Sequence, residues 1–302
     1  MDRRNFLKNN ILLLTGMACT NDILAFSSSR KNTWQISLAE WSLHKTLQKG
    51  EITNLDFPII AKQEFGISIV EYVNQFFMDK AENTTYLNEL LRICEDNEVT
   101  NHLIMCDNEG NLGTLKIQER KKTVENHYKW IHAAKHLGCK SIRVNAKGEG
   151  TPEEVTEAVI DGLGRLGEYA AKEGINVLVE NHGGHSSNGK WLSNVICKVG
   201  KENVGTLPDF GNFCTHRENS ECKEEYDRYR GVKDLLPYAK GISAKSLDFD
   251  GRGNCIETDF KKMFKIMKWE HFDGIIGIEY GGNKLNETDG ITATLNLINR
   301  LL

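Results

Sequence analysis

Residues 173–184, EGINVLVENHGG, decide the fold. Gly174 stands between a helical segment and the aliphatic run at 177–179, the place of a glycine in a left-handed helix C-cap. A short aliphatic run bounded in this way predicts a buried strand. The strand ends in Glu180, Asn181 and His182, and a buried strand carries a charge only where that charge has a partner. The stretch therefore predicts a helix-to-strand connection and a group elsewhere in the chain, or a bound ligand, that pairs with Glu180.

The same alternation recurs through the chain. Segments with helical spacing lie at 84–96, 119–137, 151–173 and 259–269. Eight apolar runs, roughly 30 to 40 residues apart, begin at Ile36, Ile67, Asn101, Ser141, Asn176, Val204, Ile242 and Ile275. This pattern predicts parallel strands with right-handed crossovers, and eight units fit a (β/α)8 TIM barrel of the α/β class. We expect one barrel domain over residues 32–302. A doubly wound open sheet is the alternative, which the lack of GxGxxG after the first strand disfavours.

The composition of the chain limits the classes of partner and ligand that it is expected to bind. The chain has 302 residues, of which 39% are hydrophobic and 26% charged, and its net charge is -4. No basic run or basic-aromatic stripe occurs, so we expect no nucleic-acid partner. The eight cysteines stand singly without a CxxC pair, which argues against a zinc finger and predicts mostly small buried side chains. Seven of them follow Cys19, so at least one free thiol is expected without intermolecular pairing.

Residues 1–31 predict an export signal. RRNFLK at 3–8 resembles a twin-arginine motif, and the apolar stretch at 11–18 is too short for a stable membrane span. We therefore expect a periplasmic or otherwise exported protein. Cys19 allows a lipid-anchored form, although Gly16 stands where a lipoprotein signal usually has an aliphatic residue. A chance basic N-terminus before a short helix is the alternative.

Three carboxylates, Glu180, Asp209 and Glu279, each follow an aliphatic run at the same place in their units. Because a barrel carries its functional groups at the C-terminal ends of the strands, we expect these carboxylates to converge on one rim. Like charges at short distance repel and raise pKa values, and a divalent cation removes that conflict. Mn, Mg, Zn or Fe would suit such ligands. Separate ion pairs with rim lysines or arginines are the alternative. His182 follows Glu180 by two positions, so its side chain should emerge on the same side and contact substrate or metal.

AKEGINVLVENHGG, NVGTLPDFGNF and GIIGIEYGG resemble the sugar phosphate isomerase/epimerase group, the xylose-isomerase-like TIM barrels. The resemblance spans nearly the whole chain after the signal and is not specific to one substrate. Ketose epimerases of this group bind Mn²⁺ or a similar metal through Glu, Asp, His and Glu on strands 5 to 8. The resemblance therefore implies Glu180, Asp209 and Glu279 as metal ligands, with the two glutamates as the acid/base pair.

One departure from the family pattern lies in ISAKS, where Ser243 replaces the histidine of an HxK pattern and Lys245 matches the lysine. A hydroxyl is a much poorer ligand than imidazole. The metal is then held by three carboxylates with water or His182, held weakly, or lost. If it is lost, Lys245 would balance the acids and hold an enolate oxygen.

The favoured function is a sugar isomerase or epimerase that abstracts a proton next to a carbonyl of a free or modified sugar. Glu180 or Glu279 would take the proton, and the metal or Lys245 would hold the oxygens. Trp41 would face the sugar ring or belong to the core. The candidates for hydrogen bonds to hydroxyls are His44, Arg143, Asn145, Asn181, His182 and Asn212. His185 is assigned to a loop, and His127, His132 and His136 to helix faces without a role in the site.

Two other functions stay open. A keto-sugar lyase or hydratase would use the same enolate chemistry, and a sugar-binding barrel would have lost catalysis. Export favours free sugars, glycosides or their oxidised forms over sugar phosphates as the small-molecule carbohydrate partner. Endonuclease activity is disfavoured, because neither a larger set of metal histidines nor a basic surface is present. A homo-oligomer also stays open.

Overall fold

The structure, a computed structural model, describes residues 34–302. The predicted signal segment, with Cys19, lies outside the described residues. The strands are β1 (Gln35–Ala39), β2 (Ile69–Val73), β3 (Thr100–Met105), β4 (Ser141–Asn145), β5 (Asn176–Glu180), β6 (Val204–Leu207), β7 (Cys214–Glu218), β8 (Glu221–Glu225), β9 (Ile242–Ser246) and β10 (Ile275–Tyr280). The helices are α1 (His44–Gln48), α2 (Phe57–Phe65), α3 (Thr84–Asp96), α4 (Ile117–Asn126), α5 (Tyr128–His136), α6 (Pro152–Glu173), α7 (Gly189–Val199), α8 (Arg228–Leu235), α9 (Phe260–Trp269) and α10 (Glu287–Asn299).

Eight of the strands form one parallel sheet in the order β6-β5-β4-β3-β2-β1-β10-β9. The two end strands meet through isolated parallel bridges, Thr206 to Ala239 and Asp209 to Ser243, so the sheet is a nearly closed barrel. Each of the eight predicted runs corresponds to one barrel strand. The prediction of a TIM barrel is confirmed.

Local sequence explains where the helices begin and end. Thr151 caps α6 in a capping box with Glu154, and Gly174 ends it at φ 73, as its place before β5 predicts. The segment with helical spacing at 119–137 is helical in the structure but forms two helices, α4 and α5, because the chain breaks at His127. The ring Nδ1 of His127 lies 2.7 Å from the carbonyl oxygen of Thr123, which a regular helix would use for the His127 amide. That amide bonds instead to the carbonyl of Val124.

The core has two layers. The larger one lies between the sheet and the helices and contains the fully buried Trp130, Phe57 and Phe77. The smaller one fills the barrel interior, and its members are Ala39, Val73, Leu103, Met105, Leu178 and Leu207. Buried charged side chains, among them Glu180 and Glu279, lie at the C-terminal ends of the strands. Within residues 34–302, no helix combines the length and the apolar character that crossing a membrane requires.

A β7–β8 hairpin interrupts the alternation after β6. A disulfide joins Cys214 to Cys222 across it, which sequence analysis did not predict. The two cysteines are eight residues apart in sequence, and no CxxC spacing signals their pairing. Among the free cysteines of the described chain, only Cys197 is exposed, so the predictions of buried side chains and of a free thiol are confirmed.

Candidate active site

The three predicted carboxylates meet at the C-terminal end of the barrel. Glu180 ends β5, Asp209 follows β6 and Glu279 lies on β10, and each offers an oxygen within 4.8 Å of the others. Their exposed fractions are 1%, 0% and 4%. The backbone amides of Gly211 and Asn212 donate to Oδ1 of Asp209 at 2.6 and 2.8 Å. The strand ends therefore bring three buried carboxylates together.

Side chains on β9 connect these carboxylates. The hydroxyl of Ser243 lies 2.9 Å from Oδ2 of Asp209 and 3.1 Å from Oε2 of Glu279. A serine hydroxyl has one proton, so it donates to only one of these oxygens at a time. Lys245 donates from Nζ to Oε1 of Glu279 at 2.5 Å. Ser243 thus lies between the two carboxylates, and Lys245 forms an ion pair with one of them.

Arg143 on β4 connects the cluster to the end of β3. Its Nη1 donates to Oδ1 of Asp107 at 2.8 Å, and its Nε lies 2.8 Å from Oε2 of Glu180. The second contact is an ion pair without hydrogen-bond alignment, and Oε2 of Glu180 has no aligned donor. Asn145 also donates to Asp107, at 2.6 Å. Both predicted substrate contacts on β4 are therefore engaged by acidic side chains.

Burial and the neighbouring cations set the pKa values. Burial is the main cause that raises the pKa of Asp209 to about 7, with Glu279 and Glu180 adding to it against Lys245. Burial would also raise the pKa of Glu279, but the Lys245 ammonium, its hydrogen bond and the Arg143 guanidinium together hold that pKa below its ordinary value. Burial likewise opposes the charge of Lys245, yet the acids raise its pKa. Lys245 is therefore a cation at neutral pH.

A fourth carboxylate, Glu71 on β2, lies deeper in the barrel. Ser37 donates to its Oε1 at 2.6 Å, and its Oε2 is buried without a partner. Burial raises the pKa of Glu71 to about 7, and repulsion from Glu279 and Glu180 adds to the rise. A Cβ on Gly277 would lie 2.8 Å from Oε2 of Glu71, so β10 needs a glycine there.

The end of the barrel contains more acid than base. Five carboxylates and two cations give a charge of -3 when all are ionised, namely Glu71, Asp107, Glu180, Asp209 and Glu279 with Arg143 and Lys245. A buried set of this sign takes up protons or a cation. The raised pKa values of Glu71 and Asp209 correspond to the uptake of protons. A bound divalent cation would offset the negative charge in the other way.

A cavity of about 580 Å³ opens above the cluster. Trp41, Arg143, Asn145, His182, Lys245 and Glu279 line it, with Glu180 and Asp209 outside its wall. The ring of Trp41 stacks on that of His44 at a centroid distance of 4.8 Å. Burial lowers the pKa of His182, whose Nδ1 is buried without a partner, so its imidazole is neutral at neutral pH.

A family model described as a xylose isomerase-like TIM barrel matches residues 61–301. The chain belongs to that family. An inosose dehydratase of Clostridium botulinum (strain Alaska E43 / Type E3) is 26% identical over an alignment 200 residues long, and the match covers 56% of this chain. The match covers 65% of that relative, just under two thirds of its length.

Solved structures show the same fold. The IOLI protein with a binding zinc atom superposes with a TM-score of 0.66 at 14% identity, over 88% of this chain and 97% of that one. The 3-keto-D-glucoside 4-epimerase YcjR from E. coli superposes with a TM-score of 0.62 at 15% identity, over 89% and 98% of the two chains. Solved structures with this fold thus include a protein named as a keto-glucoside epimerase and one that holds a zinc atom.

Three predicted substrate residues of this xylose isomerase-like barrel do not line the cavity. Asn181 is fully buried and bonds to the backbones of Asp209 and Asn212, so it fixes the loop that carries Asp209. Asn212 donates to Oε1 of Glu180 at 2.9 Å. His44 supports Trp41 from behind, through the stack and an Nδ1 contact of 2.7 Å with its carbonyl oxygen. These side chains position other site groups.

Part of the cavity wall, formed by Asn108, Asn111, His127 and Lys147, is not predicted from the sequence. His127, which the sequence assigns to a helix face, lies at the break between α4 and α5 and lines the cavity. Lys147 follows Asn145 by two positions at the end of β4, a spacing that could have indicated it. His185 is half-buried in a short 3-10 helix between β5 and α7, and its Nε2 lies 3.2 Å from the carbonyl oxygen of Gly150.

The residues present fit a divalent cation. Three carboxylate oxygens lie close enough to share one ion, and Oε2 of Glu180 is a buried acceptor without an aligned donor. Oxygen ligands of this kind suit Mg²⁺ or Mn²⁺. Ser243 offers a further oxygen between Asp209 and Glu279, and His182 lies on the cavity wall.

Proposed function

We propose that the protein is a carbohydrate isomerase or epimerase that abstracts a proton next to a carbonyl group. The observation that carries this proposal is the meeting of Glu180, Asp209 and Glu279 beside the cationic Lys245, next to a cavity of about 580 Å³. Proton abstraction from a carbon acid needs a base and a positive group at the developing oxyanion. The site offers both.

The side chains divide these tasks. Glu279 lines the cavity and is kept ionised by Lys245, so it is the base that we place nearest the substrate. Glu180 is the second proton carrier, and the return of a proton to the opposite face or the neighbouring carbon gives epimerisation or isomerisation. Lys245 donates to the enolate oxygen, and Trp41 provides a flat apolar surface for the ring. Arg143 holds Glu180 in place.

A divalent metal is part of the proposal. Glu180, Asp209 and Glu279 would hold it, and when bound it stabilises negative charge on the substrate oxygens as a Lewis acid. Its ligands must be deprotonated, so binding competes with the proton that Asp209 takes up near pH 7. The metal-bound relative supports this assignment at the level of the family.

A keto-sugar dehydratase is the second candidate, and the inosose dehydratase relative favours it. The first step is the same enolate formation. A hydroxyl on the next carbon then leaves with its bonding pair, and the Lys245 ammonium is the group that would donate the proton to it. The two candidates therefore differ after proton abstraction.

One assay covers both candidates. The protein is incubated in D₂O with Mn²⁺ and ketohexoses, inositol ketones or 3-keto-glucosides, and exchange next to the carbonyl is followed by NMR. We expect exchange with at least one class and a loss of at least about 100-fold in Glu180→Gln, Glu279→Gln and Lys245→Met, because each removes a base or the electrophile. Exposed Glu149→Gln and Lys190→Met are the matched controls.

The outcomes separate the functions. Exchange with a changed configuration supports the epimerase, and loss of water supports the dehydratase. Binding of these compounds without exchange would leave a non-catalytic sugar-binding barrel. Metal content by elemental mass spectrometry should be near one equivalent in the wild type and fall in Glu180→Ala.

We also propose export through the signal at residues 1–31. The Cys214–Cys222 disulfide supports it, because structural disulfides persist in oxidising compartments such as the periplasm. Replacement of Arg3 and Arg4 by lysine should keep the protein in the cytoplasmic fraction. Unchanged fractionation would reject the twin-arginine route.

A further inference from the structure

The cavity is larger than one sugar ring. A hexose has twelve heavy atoms and occupies about 200 Å³ at the packing density of an organic solid. The cavity measures about 580 Å³, and its reacting end lies at Lys245 and Glu279. A single ring at that end leaves more than half of the space unfilled. We call the remaining part, lined by Asn108, Asn111, His127 and Lys147, the outer subsite.

The wall of the outer subsite is fixed in place. The amide of Gly113 donates to the carbonyl of Lys147 at 2.7 Å and joins the loop after β3 to the loop after β4. Glu109 accepts from Nε1 of Trp130 at 2.6 Å, which anchors the same loop to α5. Gly110 stands at φ 105, and a Cβ there would lie 2.4 Å from Oγ1 of Thr123. The loop is therefore packed against α4 and α5, and this packing holds the wall of the outer subsite in one conformation.

His127 gives this wall a defined hydrogen-bonding group. Its Nδ1 faces a backbone carbonyl, so in the neutral ring Nδ1 carries the proton and Nε2 is an acceptor. Burial lowers the pKa of His127, which favours that neutral form. Nε2 makes no hydrogen bond within the part of the chain that the structure describes, and the residue lines the cavity. An acceptor in this position suits a hydroxyl donor.

The side chains beside His127 add further hydrogen-bond donors and acceptors to the outer subsite. Asn108 and Asn111 offer amide donors and acceptors, and no salt bridge engages Lys147 within residues 34–302. Carboxylates of this region are already paired, Asp107 with Arg143 and Glu109 with Lys129. The outer subsite thus has uncommitted polar groups of both kinds, the set that binds the hydroxyls of a sugar.

We propose that the outer subsite binds a second pyranose ring, so that the substrate is a keto-glycoside of two sugar units and not a free monosaccharide. This inference rests on the proposed function for the place of the reacting ring. The first ring lies between Trp41 and Lys245, and the second contacts Asn111, His127 and Lys147. Recognition of the second ring raises the affinity for the whole substrate.

The test compares two probes, methyl 3-keto-glucoside and 3-keto-cellobiose, in the D₂O exchange assay with Mn²⁺. We expect kcat/KM for the disaccharide to exceed that for the methyl glycoside by at least about tenfold. Asn111→Ala and Lys147→Met should bring this ratio toward one by raising KM for the disaccharide alone. Lys190→Met, on the exposed face of α7, should leave the ratio unchanged.

Calorimetric titration of the same probes separates the two proposals. A tighter Kd for the disaccharide that Asn111→Ala abolishes would support the outer subsite even if no exchange occurs, in which case the proposed function fails alone. Equal kcat/KM and equal Kd for the two probes would overturn the outer subsite. Equal losses for both probes in the two variants would also overturn it, because they would indicate a general structural effect.

Discussion

Replacement of Glu71 by glutamine should change how stability depends on pH. Glu71 is fully buried, and its pKa is raised from 4.5 to about 7. Between these values the folded protein binds the proton more tightly than the unfolded chain does. The free energy of unfolding therefore falls as pH rises from 4.5 and levels off above 7. Glutamine resembles the protonated acid and removes this dependence.

The magnitude follows from the shift. A rise of roughly 2.5 units corresponds to about 3 kcal/mol of stability lost between pH 4.5 and pH 8. For a domain of this size, 1 kcal/mol moves Tm by about 2–4 °C. Glu71→Gln should therefore melt close to the wild type near pH 4.5 and about 6–12 °C above it at pH 8.

Thermal melts between pH 4.5 and 8.5, in the presence of a chelator, measure this difference. Glu64→Gln, an exposed residue of α2, is the matched control and should follow the wild type at every pH. A Tm difference between Glu71→Gln and the wild type that stays constant from pH 4.5 to 8.5 would refute the reasoning. It would mean that Glu71 ionises without penalty in the folded barrel.

Three further substitutions test other contacts. Ser243→His should raise the affinity for Mn²⁺ at least about tenfold by calorimetry, since it restores an imidazole between two carboxylates, and an unchanged affinity would remove Ser243 from the ligand set. Gly231→Ala should lower stability by about 1–3 kcal/mol in urea, because its Cβ would lie 2.1 Å from Cε1 of Phe213, whereas Gly164→Ala, with open space around it, should not destabilise. Cys222→Ser should speed hydrogen exchange in the β7–β8 hairpin alone, since β8 is exposed at every position, and slower or unchanged exchange there would contradict this.

The barrel could be predicted from sequence because its signals are local and repeated. Each strand is a short apolar run, and glycines such as Gly174 mark the ends of the helices before them. The convergence of Glu180, Asp209 and Glu279 could also be predicted, because parallel strands end on one face. Their convergence follows from the fold and from the position of each residue at the end of its strand.

Other features depend on partners distant in sequence. Asn181 is directed to a backbone 28 residues away, so its position after β5 does not reveal that it holds a loop. The turn at His127 depends on a ring competing for a helical carbonyl, and helical spacing continues through it. The Cys214–Cys222 pair depends on the path of the hairpin, which brings the two Cα atoms to 5.7 Å. In each case the deciding contact is a specific geometry that residue type and periodicity leave undetermined.

The way in which the barrel closes has a mechanical consequence. β9 and β10 pair through five consecutive residues, whereas the meeting of β6 and β9 rests on the bridges at Thr206 and Asp209. Glu180 and Asp209 lie on one side of this seam and Glu279 on the other. An ion bound by all three carboxylates would link the two sides of this seam, where the strand pairing of the barrel is weakest. Binding of the ion should therefore slow amide exchange on both sides of the seam. Closure of the barrel and assembly of the catalytic site would then depend on each other.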